Sequence, residues 1–426
     1  MHGKPYEIRD IVYGFIQLDQ QEWDIINHSV YQRLRRIKQL SLTDMVYPGA
    51  VHTRFEHSIG VMQMASDIFD SIVGKKRTKQ LLADRYNLTD PGLERYRKLI
   101  RLAALLHDIG HSPFSHAGEN LMPLKDEKNR YKHEAYSIKI IETYFVDLIE
   151  KHPINSNFHI RTDEVTALLG GDRSKCSFDG ILVLFKEIIS GQLDADRADY
   201  LLRDSIHTGV SYGMYDKNRL INCIDIGQMA ETGDPVLAIQ EGGWHIAESL
   251  VLARYQMFSQ MYFHKTRQAY DGHISRAVKA ILESVFPQYD GCYPDLDHIN
   301  EYVQLDDWQM CGWLKEGRGG IDGDRIINRE HYRHIYATSM IPTTKELEEL
   351  EKKKTELNKD SVDYFISEAK TSWYKLDKDI WICNEKTGIV KELSEVSPIV
   401  KSMVNAPRMM RLYVEKQRRD KENEHK

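Results

Sequence analysis

Residues 101–116, RLAALLHDIGHSPFSH, place a demand on any fold: an apolar helical stretch runs without a break into three histidines and an aspartate. Leu99, Leu102, Leu105 and Leu106 recur at helical spacing and must face a core. His107 and Asp108, at the helix end, therefore arrive at the inner surface of that core, where an unpaired carboxylate is costly. Gly110 and Pro113 stop the helix and turn His111 and His116 onto a loop near the same point. Taken alone, the His-Asp dipeptide also fits a plain helix end with histidines close to a favourable dipole.

The same periodicity extends over most of the chain, from about residue 20 to 285. Phe55, Ile59, Met62 and Phe69 mark one largely buried helix, and Ile138, Ile141, Phe145 and Leu148 mark another. Short β signals lie in IVYGFIQL near the N-terminus, in PVLAIQ around residue 237 and in WYKLDKDIWIC near 378. The expected class is mainly α: a helical core with small peripheral β-hairpins and a smaller α+β C-terminal unit. KELEELEKKKTELNKD, residues 345–360, reads as an exposed helix or linker dividing a body at 1–340 from a region at 341–426. The last dozen residues, EKQRRDKENEHK, should be frayed. No internal repeat is visible.

With 426 residues and 41% hydrophobic content, the chain can bury a large core and a smaller second unit. Its formal net charge of −6 argues against a general affinity for nucleic acid. The five cysteines (Cys176, Cys223, Cys292, Cys311, Cys383) form no C-x-x-C pair, so neither a disulfide scaffold nor a thiolate zinc site is expected. No signal or transit pattern opens the sequence, and no apolar run approaches the roughly 20 residues of a membrane span. A cytoplasmic protein without a membrane partner is the expectation.

Polar residues recur inside other apolar helices. His57 lies in FEHSIGV, and Asp194, Asp196 and Asp199 lie in QLDADRADYLLRDS. On a helix Asp196, Tyr200 and Arg203 share one face. One divalent cation held by His57, His107, Asp108 and one of the three aspartates would satisfy all of these groups. Such a mixed nitrogen and oxygen set suits Mn, Fe, Ni, Zn or Mg, and a coordinated water of lowered pKa suits phosphoester hydrolysis. Arg33, Arg35, Arg36 and Lys38, by composition, read as a solvated helix face.

HTRFEHSIGV, LLHDIGHSPFSH, the KHE at 132–134 and DADRADYLLRDS, in that order, resemble the signature of HD-domain phosphohydrolases. Within that superfamily the chain is most similar to deoxynucleoside triphosphate triphosphohydrolases, including the upstream segment YQRLRRIKQLSLTDMVYPGAVHTRFEHSIGV. The resemblance runs from about residue 5 to 285, with the motifs at 52–204. It implies His57, His107, Asp108 and Asp196 as ligands of one divalent metal ion, with an additional Mg accompanying the triphosphate. It implies that His116 protonates the leaving 5′-oxygen, while His111 and His133 contact the phosphates or support the acid. Glu119 stands where vertebrate members have aspartate, in a supporting role. Arg54, Arg197, Lys265 and Arg267 would meet the triphosphate, since guanidinium groups fit phosphate oxygens bidentately. Gln39, Tyr200 and Asp204 would read the sugar, and Tyr270 would lie against sugar and base. The reaction so implied is hydrolysis of a deoxynucleoside triphosphate at the α-phosphorus, releasing deoxynucleoside and tripolyphosphate.

The resemblance further implies a homo-oligomer, dimer or tetramer, and a nucleotide effector site including Gln32 and Arg35. Asn27 replaces the aspartate that reads guanine in vertebrate members, and DIVYG at 10–14 replaces their DPIHG. Asparagine lacks the carboxylate that accepts guanine's two N–H donors, which argues against guanine-nucleotide activation. Nor does the sequence carry the sterile-alpha-motif domain of vertebrate members. The alternative reading is an HD-type site acting on another phosphoester: a nucleoside monophosphate, a cyclic nucleotide or a nucleic-acid end. A non-catalytic nucleotide sensor is a third. Arginine-rich phosphate contacts favour a polyphosphate.

Overall fold

A computed structural model describes residues 6–175, 180–369, 379–403 and 408–415, which form a mainly helical body with three small sheets. The N-terminal β signal is a hairpin of β1 (Tyr6–Asp10) and β2 (Gly14–Leu18), with the turn inside IVYGFIQL at 11–13. α1 (Gln20–Asn27) follows, closed by a capping box between Asp19 and Glu22.

The body is organised around α2 (Arg54–Gly74) and α3 (Asp90–Leu106), the helices that the leucine and phenylalanine spacing predicts. Ile59, Met62, Ile68 and Phe69 of α2 and Leu99, Leu102, Leu105 and Leu106 of α3 are buried in one core. Each contributes about 1.5–3 kcal/mol relative to exposure. Pro91 opens α3, where a missing N–H costs nothing, and α3 ends before His107. The third predicted helix begins as α4 (His133–Ile140), widens into a π-type turn at Ile141–Phe145 and resumes over Val146–Glu150.

α5 (Ala195–Thr208) is capped by Asp194 and stopped by Gly209 in the left-handed region. It crosses α2 closely. A Cβ on Gly60 of α2 would stand 2.2 Å from both Asp199 and Arg203 of α5, so only glycine allows this approach. β3 (Ile224–Gln228), β4 (Pro235–Gln240), α6 (Trp244–Gln256) and the long α7 (Lys265–Val285) come next. α8 (Asp307–Lys315) and β5 (Arg333–Ala337) follow.

Residues 345–360 are helical: α9 (Thr344–Lys359) starts at a Thr343–Glu346 capping box and buries Leu350 and Leu357 against the three-stranded sheet. In that sheet β9 (Met410–Val414) lies between β5 and β6 (Tyr364–Glu368). In the four-stranded sheet β7 (Trp381–Cys383) pairs in parallel with β4 and antiparallel with β8 (Val390–Glu392). Strands beyond position 340 thus complete sheets begun before it. Residues 416–426, expected to be frayed, Cys176 and the WYKLDK part of the third β signal lie outside the described residues. Among the described residues no helix is long and apolar enough to cross a membrane.

Candidate active site

Three helices deliver the polar residues of the core to one point. His57 sits one turn into α2, His107 caps α3, and Asp196 lies in the first turn of α5. The Nδ1 of His57 meets Asp199 at 2.8 Å, and the Nδ1 of His107 meets the Ala104 carbonyl at 2.8 Å. These acceptors assign a proton to each Nδ1 and direct each Nε2 lone pair elsewhere. Both Nε2 atoms are buried and lack a hydrogen-bond partner among the described residues. The Nε2 of His57 lies 3.6 Å from Asp108 and 3.0 Å from Asp196; that of His107 lies 3.3 Å from Asp108 and 3.9 Å from Asp196. The ligating atoms of His57, His107 and Asp108 all fall within 4.8 Å of one another. Two orphaned imidazole nitrogens facing two carboxylates fit a divalent cation, and no single metal is selected by that set.

Charge explains the state of these groups. Burial opposes a proton on His57, but Asp196 and Asp199 outweigh it and push the imidazole up to about 10. Burial likewise works against ionised Asp108, yet Arg54 and His107 hold its carboxyl well below the usual range. Of the three aspartates that spacing left open, Asp194 is the cap of α5, accepting the Arg197 N–H at 2.8 Å. Asp199 stands behind His57, held by Arg203 at 2.8 and 2.9 Å. Asp196 alone of the three faces the Nε2 atoms. Arg203, grouped with Asp196 and Tyr200 by spacing, is buried against Asp199 and Asp10 instead.

A second cluster adjoins the first. His111, His116, Glu119 and His133 also bring their ligating atoms within 4.8 Å. Glu119 accepts from His116 at 3.0 Å with one oxygen and meets His133 at 2.5 Å with the other. His111 is fully buried, stacks on His133 at 3.8 Å, and lies 3.4 Å from Asp108. Burial, Arg54 and His133 together push His111 well below its ordinary pKa, so it stays neutral. Burial opposes charge on His133 too, but Glu119 lifts it to about 9. His116 is the exposed member, with 62% of its side chain accessible.

Beside the clusters opens a cavity of about 760 Å³, within the range of ligand pockets. Arg54, Gln39, His116, Glu119, Tyr200, Asp204 and Arg267 line it. Arg54 also ion-pairs with Asp108 and donates to the Ser115 hydroxyl at 3.0 Å, tying cavity to metal cluster. Other expected contacts sit elsewhere. Arg197 is not in the lining; it pairs with Asp194 at 2.5 Å because the helix cap holds that carboxylate next to it. Lys265 is exposed and outside the lining. Tyr270 is fully buried and packs on His331 at 4.9 Å, outside the lining, because α7 turns that face inward. Asn27, Gln32 and Arg35 lie off the cavity: Asn27 bonds the Trp23 carbonyl, Gln32 accepts from Arg35 at 2.9 Å, and Arg35 covers Phe55.

Other residues carry no motif yet shape the site. Arg254, Tyr262, Asp271 and the strand residues Phe365 and Glu368 line the cavity. Tyr262 donates to Asp204 at 2.5 Å, and His52 holds the other oxygen of Asp204 at 2.7 Å. Arg33, expected on a solvated face, is buried and donates to the carbonyls of Leu305 and His111 at 2.7 and 2.8 Å. The third donor pair joins it to Ile109, so it clamps the loop after α3. A basic residue count cannot distinguish this role from solvation, because its acceptors are backbone carbonyls distant in sequence.

Comparison with known proteins agrees with this architecture. Residues 54–204 match the HD domain and residues 215–370 the HD associated region. An uncharacterized protein of Methanocaldococcus jannaschii is 34% identical over 420 residues, covering 95% of this chain and 77% of that protein. The deoxynucleoside triphosphate triphosphohydrolase SAMHD1 homolog of Dictyostelium discoideum is 27% identical, over 70% of this chain and 53% of its own length. The crystal structure of a phosphohydrolase from Bacteroides thetaiotaomicron superposes with a TM-score of 0.72 at 26% identity, covering 97% of this chain and 100% of that one. With its metal-ligand cluster built from the matched segment and its associated region closing the cavity, the chain belongs to the HD-domain phosphohydrolase family, among relatives of the SAMHD1 type.

Proposed function

We propose that the protein hydrolyses deoxynucleoside triphosphates at the α-phosphorus, releasing deoxynucleoside and inorganic tripolyphosphate. The observation that carries this reading is the cavity: Arg54, Arg254, Arg267 and His116 line the same space as Tyr200, Asp204 and Tyr262. Cationic groups suit a polyphosphate, and a hydroxyl-rich wall suits a sugar. The triphosphate specificity comes by likeness to the SAMHD1 homolog.

His57, His107, Asp108 and Asp196 would hold one divalent ion, which when bound supplies a Lewis acid and a water of lowered pKa. Asp199 and the Ala104 carbonyl orient the two imidazoles for this. Glu119 accepts from the Nδ1 of His116, and the ring, when it carries a second proton on Nε2, would pass that proton to the departing 5′-oxygen. Arg54 in the cavity wall, with His133 behind it, would supply positive charge near the phosphates. Asp204, oriented by His52 and Tyr262, would accept a sugar hydroxyl.

The deciding experiment incubates the protein with each deoxynucleoside triphosphate in Mn²⁺ or Mg²⁺ and separates products by anion-exchange chromatography. Deoxynucleoside and tripolyphosphate in equal amounts, lost on chelation and restored by metal, are the expected result. Monophosphate with pyrophosphate, or cleavage indifferent to chelation, would refute it. Selective turnover of monophosphates or cyclic nucleotides would instead favour the other phosphoesterase reading.

A further inference from the structure

The loop between the two clusters carries an unusual backbone. Phe114 and Ser115 are consecutive non-glycine residues with φ of 58° and 53°, in the left-handed region that side chains disfavour. Such a turn persists only where its surroundings hold it, and here the holder comes from far down the chain. Asp307, in the first turn of α8 and almost fully buried, accepts the Phe114 N–H at 2.7 Å with one oxygen. Its other oxygen accepts the Lys38 N–H at 2.9 Å. Lys38 immediately precedes Gln39 in the cavity wall and bridges to Thr53, the residue before Arg54. The Ser115 hydroxyl completes the ring, donating to the Lys38 carbonyl at 2.6 Å and accepting from Arg54 at 3.0 Å. Asp307 itself does not line the cavity, and the Lys38 ammonium is taken by Asp44 at 2.8 Å.

We propose that Asp307 is a positioning residue for the hydrolytic site: its carboxylate fastens the Lys38–Gln39 wall to the Phe114–Ser115 turn and so sets where Arg54 and His116 stand. The inference rests on the reading of the cavity as a phosphohydrolase site. Two N–H donors converge on one side chain, and only a carboxylate offers an acceptor oxygen to each. An amide keeps the volume but turns an N–H₂ group toward one donor. Displacements below an ångström at groups touching the substrate are enough to slow chemistry by one or two decades. Substrate affinity, spread over the whole cavity, should change little.

The test compares wild type with Asp307→Asn and Asp307→Glu, full length and loaded with Mn²⁺. For Asp307→Asn, kcat should fall about 10- to 100-fold with KM within threefold and bound metal per chain unchanged. Hydrogen–deuterium exchange should rise in peptides spanning 37–40 and 112–117 and stay constant in α2 and α5. Asp307→Glu, which keeps both acceptors, should recover part of kcat. Unchanged kcat would overturn the proposal, as would unchanged exchange in those two peptides or a kcat loss matched by lost metal or lost folded protein. If wild type hydrolyses no deoxynucleotide, the functional reading fails by itself; kcat is then read on bis(p-nitrophenyl) phosphate, and the exchange arm judges Asp307 by the same criteria.

Discussion

His57 owes its orientation to a carboxylate behind it. Asp199 holds its Nδ1, and Arg203 braces Asp199 through two contacts under 3 Å. Burial of Asp199 favours the neutral acid, but Arg203 and His57 keep it ionised, well below the ordinary range. Asp199→Asn keeps the shape and removes the charge that makes His57 a strong donor. Metal affinity, read by equilibrium dialysis with elemental analysis, should weaken about 10- to 100-fold. Unaltered affinity would show that Asp199 only fills space. At this scale the sequence was legible in kind and not in direction. His57, His107 and Asp108 stand out because polar groups interrupt apolar helices. Asp194, Asp196 and Asp199 occupy different sides of α5, and which side meets His57 depends on how α5 crosses α2, a contact set by Gly60 that spacing does not reveal.

Among the elements, β9 has a role out of proportion to its five residues. It is the central strand between β5 and β6, and Leu412, Tyr413 and Val414 are buried. β6 in turn gives Phe365, Ile366, Ser367 and Glu368 to the cavity wall. A chain ending at residue 403 loses those three apolar side chains, each worth about 1.5–3 kcal/mol of burial. It should melt several degrees lower by scanning calorimetry and bind nucleotide with at least a tenfold higher KM; a truncated chain matching wild type in both would remove β9 from the site's support. Helices such as α2 and α3 are readable because their amphipathic period is local. The pairing of β9 with strands about 45 and 75 residues upstream leaves no local mark, and short strands with one partly covered face give a weak alternation.

Across the whole molecule, stability in acid should be governed by carboxylates locked into buried ion pairs. Glu22 is the clearest: burial alone would raise its pKa, but Arg101 and Lys98 hold it far below the ordinary carboxylate range. A folded-state pKa depressed in this way contributes stability that is full above the unfolded value, about 4.3, and is lost as pH falls below it. Thermal melts should therefore decline steeply from about pH 5 downward. Glu22→Gln should melt lower than wild type at pH 7 and show a shallower decline in acid; parallel curves for the two proteins would sink this assignment. His57 is the inverse case, a buried base held protonated near neutrality by Asp196 and Asp199. A divalent cation held by His57, His107, Asp108 and Asp196 would have to displace that proton, so metal loading at neutral pH should release acid, read by a pH electrode in weak buffer.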